Sequence, residues 1–350
     1  MVDVGLIGFG LAGRCFHAPV IRAVSGLRLA AIVQRRGDEA ARIYPEARIV
    51  RSVEELLASE TIRLVVIATP NQTHFPLAKQ CLEAGRDVVV DKPFTTTVAE
   101  ALDLFRMASK NQRLLTVYHN RRFDADFQAA RQVVCGGVLG KMMRFESHYD
   151  RYRPTSKVAA WREQPGPGSG VLCDLAPHLI DQALTLFGRP EAISADIRTE
   201  REGFLTDDAF DMTLHFSGSL RAELKATMLC ATPRPRLVLL GEKGGYVKAA
   251  FDPLEDSLRN AIVPQGDSWV LEKEENWGEL TIAEAGGMRK CRVPSKGDWR
   301  EFYANVRDAL SGHATLLVTP RQALDVMVAM ELAVESNAQR CEVSWRDVAP

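Results

Sequence analysis

Residues 4–13 read VGLIGFGLAG, a glycine-rich turn that follows an apolar run and precedes a helix-length segment. Its three glycines match the pattern G-x-G-x-x-G. In this pattern the first glycine permits a tight turn, the second lets the backbone approach a pyrophosphate, and the third lets helix and strand pack closely. The helix N-terminus then faces the anion. We therefore expect a dinucleotide pyrophosphate to bind at Gly8, Gly10, Leu11, Ala12 and Gly13.

Short apolar runs alternate with helix-length segments through the first third of the chain. The runs are rich in valine, leucine and isoleucine, as expected for strands buried on both faces of a parallel sheet. The segments between them include His74–Ala84 and Val98–Asn111, and Thr97 with Glu100 forms a capping box. This pattern predicts a doubly wound parallel sheet, a Rossmann domain, over residues 1–120. Its predicted strands are Val2–Ile7, Leu27–Val33, Leu64–Thr69, Asp87–Asp91 and Leu114–Tyr118.

The pattern changes after Tyr118 to longer segments of alternating polarity, which predict an open, mostly antiparallel sheet. We expect residues 121–350 to form a second, α+β domain that binds the substrate, with one helix at Asp174–Phe187 and a last helix at Pro320–Asn337. Packing of the last helix back on the first domain is one arrangement that we consider. The glycines and prolines of Gln164–Gly170 suggest a loop near a ligand. The predicted strands are Met142–Tyr152, Ala192–Arg198, Phe210–Phe216, Leu220–Met228 and Leu237–Leu240.

Bulk composition excludes several classes of protein. The chain has 350 residues, a formal net charge of −1 and 46% hydrophobic residues, so no global field draws it to nucleic acid or a membrane. Its seven cysteines are scattered without a CxxC pair, which predicts neither a disulfide framework nor a metal site. The N-terminal stretch lacks the basic and cleavable features of a signal peptide, and we expect a cytoplasmic protein.

The second predicted strand ends in Gln34-Arg35-Arg36. A site for NAD usually has a carboxylate near this position to hold the ribose 2′-hydroxyl, whereas arginine accommodates the 2′-phosphate of NADP. Two guanidiniums can hold a phosphate, and one can stack on adenine. The strand end therefore favours NADP over NAD. The alternative is that both arginines are solvated surface groups.

Two further strand ends carry polar residues. Because ligands of doubly wound sheets bind at the carboxyl ends of the strands, we expect a role in cofactor binding there. Lys92 follows the strand residues VVVD, three apolar and one acidic, and is suited to polarise a substrate hydroxyl, although it could instead be a surface lysine. His74 could equally be a residue that only starts a helix. The cofactor-binding candidates at these ends are Thr69, Pro70, Asn71, His74, Asp91 and Lys92.

Asp174 and His178 are four residues apart and share one face of a helix. Pro177 is tolerated only near a first helical turn, which places both residues at the helix N-terminus. There the helix dipole disfavours a charged His178, and a neutral imidazole can act as a general base. Asp174 or Asp181 could orient it. Alternatively, Asp174 is only a cap and His178 a partly buried structural histidine.

The segments GFGLAG, ATPNQTH, VVVDKP and DLAPH together resemble the Gfo/Idh/MocA oxidoreductases, and the resemblance covers essentially the whole chain. The resemblance implies that Lys92, Asp174 and His178 form the catalytic set. It also implies a substrate pocket on the open sheet of the second domain, whose other face often makes a dimer. Members of the family usually have Glu-Lys-Pro where this chain has Asp91-Lys92-Pro93.

Within the family, the chain has a closer resemblance to NADP-dependent scyllo-inositol dehydrogenases. The similarity rests on FHAPVI, YHNRRFDADF, YDRYRP, WRE and HLIDQALTLFG, and it also implies NADP. These segments offer donors, acceptors and a flat apolar face, which a ring with several hydroxyls requires. Their arginines could instead hold a carboxylate, phosphate or sulfonate. The substrate-binding candidates are Lys92, Asn120, Arg121, Asp124, Tyr152, Arg153, Trp161, Arg162, Asp174 and His178, and Asn120 is also a candidate for the cofactor.

The sequence thus favours an enzyme that transfers a hydride between a polyol or sugar carbon and a nicotinamide, with His178 as acid and base. One alternative is a glycoside hydrolase that uses the dinucleotide transiently. Another is a non-catalytic sensor of a dinucleotide or sugar. We expect a small-molecule substrate and a homo-oligomer, and no nucleic acid or membrane partner.

Overall fold

The computed structural model describes residues 1–155, 161–232, 234–266, 269 and 271–349, with only the backbone of Trp161. Two sheets organise the described chain, and helices cover both faces of the first one. No helix among these residues is long and apolar enough to cross a membrane.

The first sheet confirms the predicted fold of the N-terminal domain. Within the described residues it has six strands, all parallel, in the order β3-β2-β1-β4-β5-β6. The sequence predicted five of them and missed the edge strand β3, which is only three residues long and has an exposed first residue. Its strands are β1 (Val2–Ile7), β2 (Leu27–Val33), β3 (Arg48–Val50), β4 (Ile62–Ile67), β5 (Asp87–Val90) and β6 (Leu115–Val117).

Helices connect these strands on both faces of the sheet. A π-helical turn at Ala12–His17 runs directly into the first α-helix. The predicted capping box is half formed: Thr97 accepts a hydrogen bond from the Glu100 amide, but the Glu100 carboxylate accepts from the Thr96 amide. The helices are α1 (Ala18–Ala23), α2 (Glu39–Ile43), α3 (Val53–Leu57), α4 (His74–Glu83) and α5 (Val98–Lys110).

The second sheet has nine strands within the described residues, in the order β14-β13-β12-β11-β7-β10-β9-β8-β15. All neighbouring pairs are antiparallel except β7 with β10. The last four strands in the chain were not predicted, since β12 begins with two glycines and β14 is exposed along most of its length. The strands are β7 (Met142–His148), β8 (Ala192–Arg198), β9 (Ala209–His215), β10 (Arg221–Thr227), β11 (Leu237–Gly241), β12 (Gly244–Lys248), β13 (Gly278–Glu284), β14 (Gly287–Val293) and β15 (Val343–Ser344).

Two later helices connect the halves of the molecule. α10 packs on β8 and α7 in the second half and on α5 and β6 in the first. α9 returns to the first domain, where Phe302 and Tyr303 are buried with strand residues such as Leu6. The helices of this half are α6 (Ala125–Cys135), α7 (Gly170–Phe187), α8 (Leu254–Arg259), α9 (Arg300–Leu310) and α10 (Pro320–Gln339).

The predicted start of α7 is wrong. The helix begins at Gly170, four residues before Asp174, so Pro177 lies inside it and His178 is in its third turn. The helix begins earlier because Asp207, which is distant in the chain, caps its N-terminus. Asp207 accepts the Leu172 amide through its carboxylate, at 2.6 Å, and the Val171 amide through its main-chain oxygen, at 3.0 Å. These contacts satisfy first-turn amides that would otherwise lack partners.

Candidate active site

One cleft of about 1600 Å³ runs from the carboxyl edge of the first sheet to the inner side of α7. The glycine turn and the residues after β2 line one end. Residues after β5, at 120–121 and on α7 line the other end. The position agrees with the rule that doubly wound sheets bind ligands beyond the carboxyl ends of their strands.

The three glycines of the turn have three different surroundings. Gly8 has a φ of +100°, and a Cβ there would lie 2.5 Å from the Ala68 carbonyl oxygen. A Cβ at Gly13 would lie 2.1 Å from the carbonyl oxygen of Gly8, so this glycine permits close packing and does not line the cleft. A Cβ at Gly10 would meet nothing within 4 Å. Gly10 therefore presents open backbone to the cleft, which Leu11 and Ala12 also line, and this space fits a pyrophosphate.

The loop after β2 has one buried side chain, Gln34, and two exposed ones, Arg35 and Arg36. Gln34 is buried, and its Oε1 accepts the Ala40 amide at 2.9 Å, so this side chain braces the loop. Arg35 and Arg36 are exposed and line the cleft, and neither has a hydrogen bond or ion pair with the described residues. Arg51, which the sequence analysis missed, donates to the carbonyl oxygens of Gln34 and Gly37 at 2.8 and 2.7 Å and holds the loop in place.

The segment after β4 contributes unequally to the cleft. Thr69, Pro70 and Asn71 line it, and the Asn71 amide nitrogen also donates to the Gly168 carbonyl at 2.7 Å. The structure does not bring His74 to the cleft. This ring is fully buried, with Nδ1 2.8 Å from the Pro93 carbonyl oxygen and Nε2 3.0 Å from that of Thr69. Its position is structural, because it joins the turns that follow β4 and β5.

Asp91 and Lys92 leave β5 in different directions. The Asp91 carboxylate accepts the Lys92 amide at 2.8 Å and lies 3.7 Å from Nε2 of His17. His17 is buried in the π-helical turn, with Nδ1 2.6 Å from the hydroxyl of Tyr303. The glycine segment, β5 and α9 therefore meet behind Lys92. No local sequence pattern marks His17, because its partners are distant in the chain.

Lys92 and Asp174 form an ion pair within the cleft. Lys92 Nζ donates to the Asp174 carboxylate at 3.0 Å and to its main-chain oxygen at 2.5 Å. Arg162 and Arg151 lie 3.3 and 3.9 Å from the same carboxylate. Burial raises the pKa of Asp174, but Lys92, Arg162 and Arg151 more than offset it and hold this pKa below its usual value. Asp174 is therefore ionised and fixes the lysine.

His178 lines the cleft with its ring almost fully buried. Burial, followed by the charges of Lys92 and Arg121, holds its pKa well below the usual value. The imidazole is therefore neutral, as expected, but the predicted helix-dipole cause is wrong because His178 is two turns into α7. Within the described residues Asp174 makes no hydrogen bond to His178, and Asp181 pairs with Arg122 at 2.6 Å.

The other substrate candidates fall into three groups. Asn120, Arg121, Arg153 and Arg162 line the cleft, and Arg121 is held between the rings of Tyr149 and Trp299. Asp124 is buried away from the cleft, where it accepts hydrogen bonds from Arg121 and Trp299, and Tyr152 is 61% exposed and does not reach the cleft. The Trp161 side chain lies outside the described residues.

Several cleft residues escaped the sequence analysis. Arg151 belongs to the segment YDRYRP, but its approach to Asp174 depends on the packing of β7 beside α7. Glu255 and Arg259 come from α8, and Trp299 from the start of α9, far along the chain from the recognised motifs. Glu255 pairs with both Arg121 and Arg259. No local pattern marks these residues, because only the tertiary fold brings them to the cleft.

Comparison with known families agrees with this arrangement. Residues 2–119 match the model described as "Oxidoreductase family, NAD-binding Rossmann fold", and residues 131–344 match "Oxidoreductase family, C-terminal alpha/beta domain". The chain belongs to the Gfo/Idh/MocA oxidoreductase family. It is thus an oxidoreductase with a nicotinamide dinucleotide-binding domain, which confirms the family and the fold class expected from the sequence.

Relatives in this family match the chain over nearly its whole length. An uncharacterized oxidoreductase of Escherichia coli (strain K12) is 42% identical, over 97% of both chains. The scyllo-inositol 2-dehydrogenase (NADP(+)) of Bacillus subtilis (strain 168) is 34% identical, over 97% of this chain and 94% of that one. Among solved structures, an oxidoreductase from Bacillus subtilis superposes with a TM-score of 0.95 at 34% identity, covering 99% of this chain and 98% of that one.

Proposed function

We propose that this oxidoreductase is an NADP-dependent dehydrogenase that acts on a secondary hydroxyl of a polyol or sugar of the inositol or aldose type. The observation that carries the proposal is the continuity of one cleft. The cleft joins an open glycine turn and two arginines at one end to Lys92, Asp174 and His178 at the other.

The cofactor end supports NADP by its charge. The backbone at Gly10 is open, and Arg35 and Arg36 line the cleft beyond β2. A 2′-phosphate gains from guanidinium groups through charge-assisted hydrogen bonds, and the ribose hydroxyl of NAD carries no such charge. The similarity to an NADP-dependent scyllo-inositol dehydrogenase points the same way.

The chemical end supports proton transfer by His178. A bound nicotinamide supplies the hydride acceptor. Neutral His178 removes the proton of the reacting hydroxyl, with Nε2 as the accepting atom because Nδ1 is buried. Lys92 donates to the same oxygen and stabilises the negative charge that develops on it. Asp174 holds Lys92 by the ion pair at 3.0 Å.

The walls beside this end fit a molecule with several hydroxyl groups. Asn120 and Arg153 line the cleft, and the Arg153 guanidinium makes no hydrogen bond or ion pair with the described residues. The Tyr149 and Trp299 rings, which hold Arg121, also line it. Mixed donors, acceptors and flat apolar surface are what a polyol ring requires.

The test is reduction of NADP and NAD by the purified enzyme with a panel of inositols and aldoses. We expect turnover of at least one polyol or sugar, with a higher kcat/KM for NADP. Replacement of Lys92 by Met should abolish most of the turnover. Cofactor binding, measured by fluorescence, should be retained. Absence of turnover with every panel member and both cofactors would overturn the proposal.

We propose in addition that the second sheet joins two copies of the chain. Its face opposite α7 carries side chains of both signs, with Glu223 paired to Arg144 and Lys225 at 3.2 and 2.8 Å. Such a face can pair with its own copy across a two-fold axis. Light scattering on the eluting enzyme should give about twice the chain mass of 38.7 kDa. A monomer at micromolar concentration would contradict this.

A further inference from the structure

His119 is a buried histidine that the proposed chemistry does not use. It follows β6 and precedes Asn120 of the cleft, and only 1% of it is exposed. Within the described residues, neither of its ring nitrogens has a hydrogen-bond partner. Most buried polar groups in proteins have a hydrogen-bond partner, so such a residue calls for an explanation, either an ordered water or a functional role.

His119 packs against α7, the helix that carries His178, at Asp181. Its Nε2 lies 3.9 Å from Oδ1 of Asp181 on that helix. His178 precedes Asp181 by three residues, and residues three apart are neighbours on a helix surface. Arg122 holds Asp181 through both carboxylate oxygens, at 2.6 and 2.7 Å, and this pairing fixes the helix face against which His119 packs.

His178 needs a hydrogen-bond partner for its Nδ1–H. Its Nδ1 is buried without a hydrogen-bond partner among the described residues. To accept a proton at Nε2, the imidazole must carry its own proton on Nδ1, and the partner of Nδ1 determines this tautomer. Asp174 does not provide that partner, because its carboxylate is bound to Lys92. His119 is a second buried histidine beside this helix, and it is one of the groups that act on the charge of His178.

We propose that His119 is a positioning residue for His178, which it holds through one buried water that bridges Nδ1 of His178 and a ring nitrogen of His119. The Nδ1–H of His178 donates to the water, and the water donates to His119. The Nε2 lone pair of His178 is thereby directed at the substrate hydroxyl. Buried waters with two or more polar partners are regular parts of protein structures. The inference rests on the proposed role of His178 as the base.

The electrostatics agree with this geometry. Burial, offset only in part by Asp181, lowers the pKa of His119 to about 4, so His119 is neutral and can accept a hydrogen bond at neutral pH. Arg122, Lys92 and Asp91 are the other charges that act on it. The charged or titratable groups around His178 include Lys92, Arg121, His119 and Arg236, the stacked Tyr149, and Asp174 one turn earlier on α7.

The experiment compares His119→Leu with His119→Gln, because glutamine retains a hydrogen-bonding group and leucine does not. We expect His119→Leu to lower kcat about 10- to 100-fold, by analogy with the loss seen when a group that orients a metal-bound histidine is removed. The KM for the polyol and the affinity for NADP should change less than twofold. His119→Gln should recover most of kcat.

The pH profile separates positioning from packing. The bridge stabilises the imidazolium that forms at His178, so its loss lowers the pKa of the base. The acid limb of the kcat profile should therefore move to lower pH in His119→Leu and not in His119→Gln. The matched control is His148→Gln, a buried histidine of β7 whose Nδ1 bonds the Pro235 carbonyl and which does not line the cleft. Its kcat and pH profile should equal those of the wild type.

Two results distinguish failure of this inference from failure of the proposed function. If His178→Asn is inactive but His119→Leu keeps both kcat and the pH profile, His119 does not position the base. Equal losses in His119→Leu and His119→Gln, with unchanged pH profiles, would also overturn the inference. If His178→Asn itself remains fully active, the proposed function is wrong.

Discussion

The two ends of the cleft are built from different parts of the chain. At the glycine turn the lining is largely backbone, and the residues that shape it lie within six positions, from Gly8 to Gly13. At the chemical end the lining is side chains that come from the turn after β5 and from α7 and α8, far apart in sequence. The first end depends on space for main-chain atoms. The second depends on charge balance among buried groups.

The charge balance at the chemical end centres on Asp174 and His178. Lys92 and two arginines surround the single carboxylate of Asp174, while His178 stays uncharged beside them. Groups with strongly shifted pKa values in a cleft are typical of catalytic sites. Substitutions at the chemical end should therefore change rates and pH dependence. Substitutions at the glycine end should change cofactor affinity or folding.

The largest effect should come from His178→Asn. Removal of a general base costs about 10²- to 10⁴-fold in rate, so kcat for polyol oxidation should fall by that factor. NADP affinity, measured by fluorescence titration, should remain within a few-fold of the wild type because the glycine turn is untouched. A large loss of cofactor affinity with unchanged kcat would show that the two ends are not separate in function.

The chemical end should also respond to acid through Glu255. Burial raises the pKa of Glu255, but Arg121 and Arg259 lower it more, to about 2 from an ordinary 4.5. A carboxylate with a lowered folded-state pKa stabilises the protein above its ordinary pKa, and this contribution is lost as the pH falls toward 2. A shift of this size corresponds to about 3 kcal/mol.

Urea unfolding of wild type and Glu255→Gln at several pH values tests this expectation. The difference in the free energy of unfolding should be largest near neutral pH and should shrink below pH 4.5. The matched control is Glu284→Gln, at an exposed pair with Arg289 on the second sheet, which should cost less than about 1 kcal/mol at every pH. A Glu255 effect that does not vary with pH would contradict the ion-pair account.

The same contrast explains how much of the molecule the sequence predicted. The strands β1, β2 and β8 were predicted to the residue, because hydrophobic periodicity is a local property. The start of α7 was not, since Asp207 caps that helix from a distant segment. Local motifs likewise located Lys92 and His178. They could not locate Arg51 or His119, because only the tertiary fold brings Arg51 to the loop after β2 and His119 to α7.

At the glycine end, Gly13→Ala and Gly10→Ala should separate folding from binding. A Cβ at position 13 would lie 2.1 Å from a backbone oxygen, so the variant should lose about 1–3 kcal/mol of stability through overpacking. A Cβ at position 10 meets nothing within 4 Å, and that variant should keep its stability but bind NADP more weakly, since the methyl occupies the approach of the pyrophosphate. Thermal unfolding with a cofactor titration checks both, and equal melting temperatures would contradict the distinction.

The smallest effect should appear at the adenosine side of the same end. Arg35 lines the cleft, and its loss removes one charge-assisted contact to a 2′-phosphate while Arg36 remains. Arg35→Ala should therefore lower the ratio of kcat/KM for NADP to that for NAD about tenfold, which corresponds to about 1.4 kcal/mol, with the NAD value itself almost unchanged. Arg22→Ala, at an exposed arginine paired with Glu46 outside the cleft, is the matched control and should leave the ratio as it is. An unchanged ratio in Arg35→Ala would remove this arginine from cofactor selection, whereas equal losses for NADP and NAD would mean that it shapes the loop rather than recognises the phosphate.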